Sequence, residues 1–440
     1  MNLRHFKSPT LVLLTLISSY SLAGNQSIMP MPDSWDRILG YLDFASWDLP
    51  AAEIRENAPN YWFVFCGFGW QIGDFRAGQP NLNVARYMPG FLDDHNGRPD
   101  AFPENPEEDT PERRARTLQW WNTEVDGVGH PDWVLYTCDG VTPSYWNFKG
   151  ATLPNMPLDI SNPEVADWQL RNAGFAIGYE DSGLPTLSAD IVSIENYDHA
   201  CGVYRNGEWV QLFTGEESDP AFASAVIDWA ARIQAGLHSL PSPRGFVANF
   251  PPYSWFSDEV IASVVANLDG LLDEQGFTGY GTGRINISQE AWLHKIRNMI
   301  AIQNQGVAYY STNYVLTFPP SQDELEWVLG SFLMGKEHSA YVLMTPPRTI
   351  LPDGVQWPHL PQYDEDIGHP CSPMTSTQNV YVRDYSKGLA VVNPSRATSY
   401  TFALPEGSFR DLYGNQIEDQ SFVLEPLTGK VLLSSEDRCP

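Results

Sequence analysis

Asp269-Gly-Leu-Leu-Asp-Glu274 is a strand-sized run that opens and closes on an acid, and Asp190-Ile-Val-Ser-Ile-Glu195 repeats the layout. Apolar residues fill both interiors, the pattern of β-strands buried between layers. Working outward, runs of the same kind are Tyr61-Trp-Phe-Val-Phe-Cys66, Asn83-Val-Ala-Arg-Tyr-Met88 and Trp133-Val-Leu-Tyr-Thr137. Gly245-Phe-Val-Ala-Asn-Phe250, Gly306-Val-Ala-Tyr-Tyr-Ser311 and Ser339-Ala-Tyr-Val-Leu-Met344 complete the set. Helix-patterned segments lie between the later runs. Asn162-Pro-Glu-Val opens one, with Asn as N-cap and Pro in the first turn, and others span 220–237, 257–266, 288–303 and 321–335. Ser257, Ser288 and Ser321 are placed as N-caps.

Eight strands alternating with helices predict an α/β chain built as a (β/α)8 TIM barrel. A doubly wound sheet is the alternative, and the lack of a phosphate-binding glycine loop favours the barrel. From Gln378 the helical period gives way to short alternating strands with turns at Lys387-Gly388 and Tyr413-Gly-Asn. That tail reads as a small C-terminal antiparallel β-sandwich domain. The expected organisation is a signal peptide over 1–23, a barrel domain over 24–375 ending in a Pro-rich connection, and the β domain over 376–440.

The segment 1–23 carries Arg4 and Lys7, an apolar stretch Leu11–Ile17 and a Ser-Leu-Ala ending suited to a signal peptidase. The expectation is export to a secreted or periplasmic location, with no membrane attachment after cleavage. Five cysteines fit an oxidising compartment; Cys371 and Cys439 bracket the C-terminal region and could staple it. A net charge of −28 argues against nucleic acid as a partner, since phosphate backbones need clustered Lys and Arg. No HxH, HExxH or CxxC spacing supports a metal site, and no cofactor is expected. Oligomeric state is not readable.

In a barrel the chemistry sits at the C-terminal ends of the strands. Five steps of about 3.3 Å separate the acids of each DxxxxE run. This places Asp190 and Asp269 at the bottom in structural roles, and Glu195 and Glu274 at the top of the fourth and sixth strands. Period 2 puts Glu274 on the inward face with Leu272 and Gly270, and turns Asp273 away. Two facing carboxylates fit glycoside hydrolysis, one as acid and one as base or nucleophile. Asn196, Asp198, Asn249, Tyr87 and Arg86 lie at matching heights as substrate-binding candidates. The 15 Trp and 20 Tyr suit sugar C–H faces, with Trp255 the chosen contact among Trp70, Trp120, Trp121, Trp146 and Trp357. A non-catalytic glycan-binding barrel is the alternative; a metal-dependent hydrolase is a more distant one.

Several motifs, in order, resemble a family of bacterial TIM barrels catalogued as hypothetical glycosyl hydrolases, family fifteen of that series. They are Leu158-Asp-Ile-Ser-Asn-Pro-Glu164, Asp190–Asn196, Val247-Ala-Asn249, Asp269–Glu274, Tyr363–Pro370, Arg383–Pro394 and Tyr413-Gly. The resemblance covers about residues 60–433 and implies an exported glycosidase acting on a carbohydrate. It implies Glu195 as nucleophile or base, by analogy with barrels whose nucleophile ends the fourth strand, and Glu274 as general acid. Where the family pattern has Asp-Asn, this chain has Glu195-Asn196. The extra methylene, about 1.5 Å, leaves shifted geometry, another substrate or binding without turnover as consequences.

Overall fold

The computed structural model describes residues 28–29, 32–45, 49–67, 71–88, 90–91, 111–145, 156–176, 186–191, 199–216, 218–250, 256–279, 285–347 and 356–439. Eight parallel strands form one sheet in chain order: β1 (Leu42–Phe44), β2 (Phe63–Gly67), β3 (Asn83–Met88), β4 (Leu187–Asp190), β5 (Phe246–Asn249), β6 (Gly270–Asp273), β7 (Ala308–Tyr314) and β8 (Ala340–Thr345). Gly40 bridges Val342 in parallel, and the Val342 N–H donates to Leu39 O at 2.9 Å, so the last strand returns to the first and the barrel closes.

Helices cover the outside: α1 (Ala51–Asn57), α2 (Ile72–Gly78), α3 (Pro111–Thr123), α4 (Pro163–Ala176), α5 (Pro220–His238), α6 (Asp258–Val265), α7 (Gln289–Asn304) and α8 (Gln322–Gly335). Their starts follow the cap residues. Ser257, Ser288 and Ser321 each accept a backbone N–H of the first turn, and Ser321 with Glu324 forms a reciprocal capping box. Asp219 caps α5, accepting from Ala221 and Phe222, with Pro220 at the first helical position.

Two readings of the sequence are corrected. Trp133–Thr137 is not a barrel strand. Trp133 and Val134 are buried with Trp120, Trp121 and Trp168 in a satellite core, and Tyr136–Thr137 pairs antiparallel with Ala200–Arg205. The apolar content that suggested a barrel strand is used by this side sheet, which the Cys138–Cys201 disulfide ties together. The first barrel strand is instead Leu42–Phe44, too short to give a periodic signal.

Asp190 is the second correction. The fourth strand begins at Leu187 and ends at Asp190, so Asp190 crowns the strand instead of starting it. Asp269 does stand at the bottom, where its carboxylate accepts from the Phe246 N–H at 2.8 Å and lies 2.9 Å from His238 Nε2. Asp273 turns outward as expected. It is fully buried, paired with Lys295 of α7 at 2.7 Å and accepting from Tyr309 Oη at 2.6 Å.

The C-terminal strands build a six-stranded antiparallel sheet between Thr375 and Ser434, faced by a two-stranded sheet of Tyr400–Ala403 and Ser421–Leu424. Val382, Leu389, Phe402, Phe409 and Leu424 fill the space between the sheets. The opposite face of the large sheet lies on α8, whose residues Leu325–Gly335 are all buried. A Cβ on Gly429 would stand 2.5 Å from Glu326 O, so this contact requires glycine. The Cys371–Cys439 disulfide joins the two ends of the domain.

Arg383 fastens this packing. Its buried guanidinium donates to the carbonyls of Met334 (2.9 Å) and Lys336 (3.0 Å) and to Glu337 Oε1 (2.8 Å), while Tyr385 Oη donates to Leu333 O at 2.6 Å. The free carbonyls at the α8 C-terminus thus find their donors in the other domain. Arg383→Ala is expected to destabilise the chain by about 3 kcal/mol, because several buried carbonyls and the partly exposed Glu337 carboxylate lose their partner. Urea unfolding measures it; a change below about 1 kcal/mol would remove the guanidinium from this role.

Candidate active site

The strand register assembles the site. Asp190 is the Cα partner of Asn249 across β4 and β5, and Asn249 is the partner of Leu272 across β5 and β6. Glu274, two residues past Leu272, lies on the same inward face. Asn249 Nδ2 donates to Asp190 Oδ1 at 3.0 Å and to Glu274 Oε2 at 2.9 Å. Since one nitrogen holds both, those oxygens lie within about 6 Å of each other.

Two phenols complete the cluster. Tyr87 Oη, from β3, donates to Asp190 Oδ2, and Tyr314 Oη, from the end of β7, donates to Glu274 Oε1 at 2.7 Å. Each oxygen of both carboxyl groups therefore has a donor. Backbone packing fixes the two elements that carry them. Gly90 sits at φ +50°, and a Cβ there would fall 1.8 Å from the Asp190 carbonyl. Beyond Glu274, Asn313 Oδ1 accepts the Phe277 N–H at 2.6 Å, and Asp273 Oδ1 accepts the Gln275 N–H at 3.0 Å.

Burial, with a smaller contribution from the nearby Glu274 charge, pushes the Asp190 carboxyl up to about 6, against the pull of the Tyr87 and Asn249 hydrogen bonds. Below the carboxylates the barrel is filled by aromatic rings. Phe63 and Tyr310 lie 4.3 Å apart between centroids, Tyr310 and Tyr341 stack at 4.8 Å, and Tyr41 meets Tyr310 edge-on at 5.3 Å. The carboxylates thus stand over a closed floor.

Of the residues expected from the sequence, Glu274, Asn249 and Tyr87 come together here. Glu195, Asn196, Asp198 and Trp255 lie outside the described residues. Arg86 does not join the cluster. It alternates with Tyr87 on β3, beside Val84 and Met88, which belong to the outer cores, and its Nε is buried with no partner among the described residues. Trp120 and Trp121 are core residues, and Trp357 packs against Tyr61 and Phe75. The sequence reading does not place Asp190 or Tyr314 in this cluster. Asn249 already marked the height of the rim, and extending the seventh run by three residues would have reached Tyr314. Among the described residues, no group of three or more His, Cys, Asp or Glu is placed to hold a metal ion.

No family profile and no curated protein matches the sequence, so the motif resemblance stands on the motifs alone. Solved structures with a similar chain path include Eubacterium rectale Amy13B, at 10% identity and a TM-score of 0.48, covering 92% of this chain and 97% of that one. A GH31 dextranase from Flavobacterium johnsoniae is similar at 11% identity and a TM-score of 0.42; 92% of this chain spans 52% of the dextranase. The cyclic alpha-maltosyl-(1-->6)-maltose hydrolase of Arthrobacter globiformis is similar at 12% identity and a TM-score of 0.41, over 92% of this chain and 100% of that one.

The raised value at Asp190 has a consequence for stability. An unfolded Asp releases its proton near pH 4, whereas the folded one keeps it to about 6. Between those values the folded state holds the extra proton, so this group's contribution falls as pH rises through the window and stays low above it. Asp190→Asn is expected to stabilise the protein by about 1–3 kcal/mol at pH 7 and by little at pH 4. Urea unfolding at the two pH values tests this, and equal effects at both would contradict the burial argument.

Proposed function

We propose that the protein is an exported glycoside hydrolase of the retaining type, with Asp190 as nucleophile and Glu274 as general acid and base. The observation that carries this reading is the pair of inward carboxyl groups on β4 and after β6, bridged by one amide nitrogen. Retaining enzymes hold their carboxyls about 5–5.5 Å apart and inverting ones about 6.5–9.5 Å. The upper bound of about 6 Å set by the shared Asn249 nitrogen favours the first class.

The roles follow from how each group is held. Asp190 ends a strand on a short side chain, with donors on both oxygens, which suits an atom that must meet the anomeric carbon at a fixed position. Glu274 stands one residue beyond its strand on a longer arm, which suits proton delivery to a leaving oxygen. In the first step the Asp190 carboxylate bonds to the anomeric carbon as its bond to the leaving oxygen breaks, and the Glu274 proton goes to that oxygen. In the second, Glu274 takes a proton from water, whose oxygen displaces Asp190 from the sugar.

Export is supported by the leader-like segment and by two disulfides, which persist in oxidising compartments. Oligosaccharide is the proposed substrate, because the reaction needs a glycosidic oxygen and the rim carries Tyr87 and Tyr314 beside the acids. The identity of the sugar is left to the assay.

Three measurements test the reading. Asp190→Asn is expected to lower kcat/KM by about 10³-fold or more on a panel of 4-nitrophenyl α- and β-glycosides, and Glu274→Gln to do so on unactivated oligosaccharides, whose leaving oxygen needs the proton. A 2-deoxy-2-fluoro glycosyl fluoride should add one glycosyl mass to the protein, located on the peptide containing Asp190. Full loss in Glu195→Gln, with activity kept in Asp190→Asn, would return the fourth-strand role to Glu195. In the pH profile, kcat/KM should rise with pH up to about 6, as the nucleophile ionises. A fall through pH 6 would exchange the roles of the two acids.

A further inference from the structure

Asn249 spends both amide hydrogens on the acids, one on Asp190 and one on Glu274, and its Oδ1 is buried with no hydrogen-bond partner among the described residues. We propose that Asn249 is a positioning residue whose single amide group sets the spacing of the two carboxylates and holds them as a reacting pair. The inference rests on the reading of Asp190 and Glu274 as that pair.

The geometry supplies the argument. The two N–H bonds of an amide diverge by about 120°, so acceptors at 2.9–3.0 Å stand about 5 Å apart. That is the spacing a covalent glycosyl mechanism needs. Two carboxylates so close repel each other, and a donor between them offsets part of that repulsion. The donor must be an amide. With both acids ionised the carboxylates only accept, so the NH₂ faces them and Oδ1 faces away.

An Asp at this place would add a third negative charge, and a Ser would have one hydrogen for two acceptors. Among the described residues, Tyr87 of β3 and Tyr314 of β7 contact the pair; Tyr41, just before β1, is raised well above its ordinary value by burial and then by the charge of Asp43 on β1, with Glu274 adding to it. Among the described residues, Asn249 is the side chain that donates to both acids. Its free Oδ1 is then an acceptor for a hydroxyl of the sugar ring seated over the pair.

The test uses the full chain with Asn249→Ala and Asn249→Leu, the second filling the space without a donor. Carboxyl ¹³C shifts of Asp-labelled protein, followed against pH, report Asp190 without any substrate. Loss of the amide bond should move its titration above about 6, because that bond favours the charged form. On the 4-nitrophenyl glycoside that the unaltered protein cleaves, kcat should fall by about 10²-fold, more than KM rises, and the acid limb should shift upward with the titration.

If both variants fold, judged by their thermal melts, and the titration and the limb stay in place while only KM rises, Asn249 is a substrate contact and the inference fails. Failure of the underlying reading looks different: Asp190→Asn and Glu274→Gln would then keep their activity.

Discussion

A parallel ladder offers little choice once its register is set, and here the register of β4 against β5 puts Asp190 beside Asn249. The side chains of neighbouring strands at one height are forced within hydrogen-bonding reach, and the next ladder brings Glu274 to the same rim. A slip of one residue would turn Asp190 into the layer under the helices, where Leu187 and Ala189 now pack, and dissolve the cluster. The barrel's closure through Gly40 and Val342 and the positive φ of Gly90 both protect that register.

The interior below the rim explains why the acids can be held close together without flooding. Phe63, Tyr310 and Tyr341 are buried and pack together beneath the carboxylates. Burial away from water is also what keeps Asp190 protonated to a higher pH than an ordinary aspartate. Depth of burial and chemical role are two results of one packing arrangement.

Much of this was legible in the residues. Most barrel strands, the serine caps and the C-terminal β strands carry strong local signals, because apolar period and N-cap chemistry act over a few residues. The failures have equally local causes. Leu42–Phe44 is too short to show a period, and Trp133-Val-Leu looks like a barrel strand because a satellite core needs the same apolar side chains. Asp190 was placed at the wrong end because Leu187-Ser-Ala carries small residues that read as a loop, while Ile191-Val-Ser-Ile reads as the strand. The alternation of its strand puts Glu274 on the inward face, and Asn249 reads to rim height, and both stand there; Arg86 stands on the other face, because height on a strand does not give the face.

Helix α8 belongs to two cores at once: it closes the barrel on one side and receives the large C-terminal sheet on the other, with Gly429 lying against its backbone. The C-terminal sheet is therefore unlike a tethered sugar-binding module that can be exchanged between enzymes. Cutting the chain before it would leave an apolar helix face and the α8 carbonyls in water, a surface suited to aggregation. Recombination in this lineage is expected to move the barrel and its β partner together, as a single heritable unit.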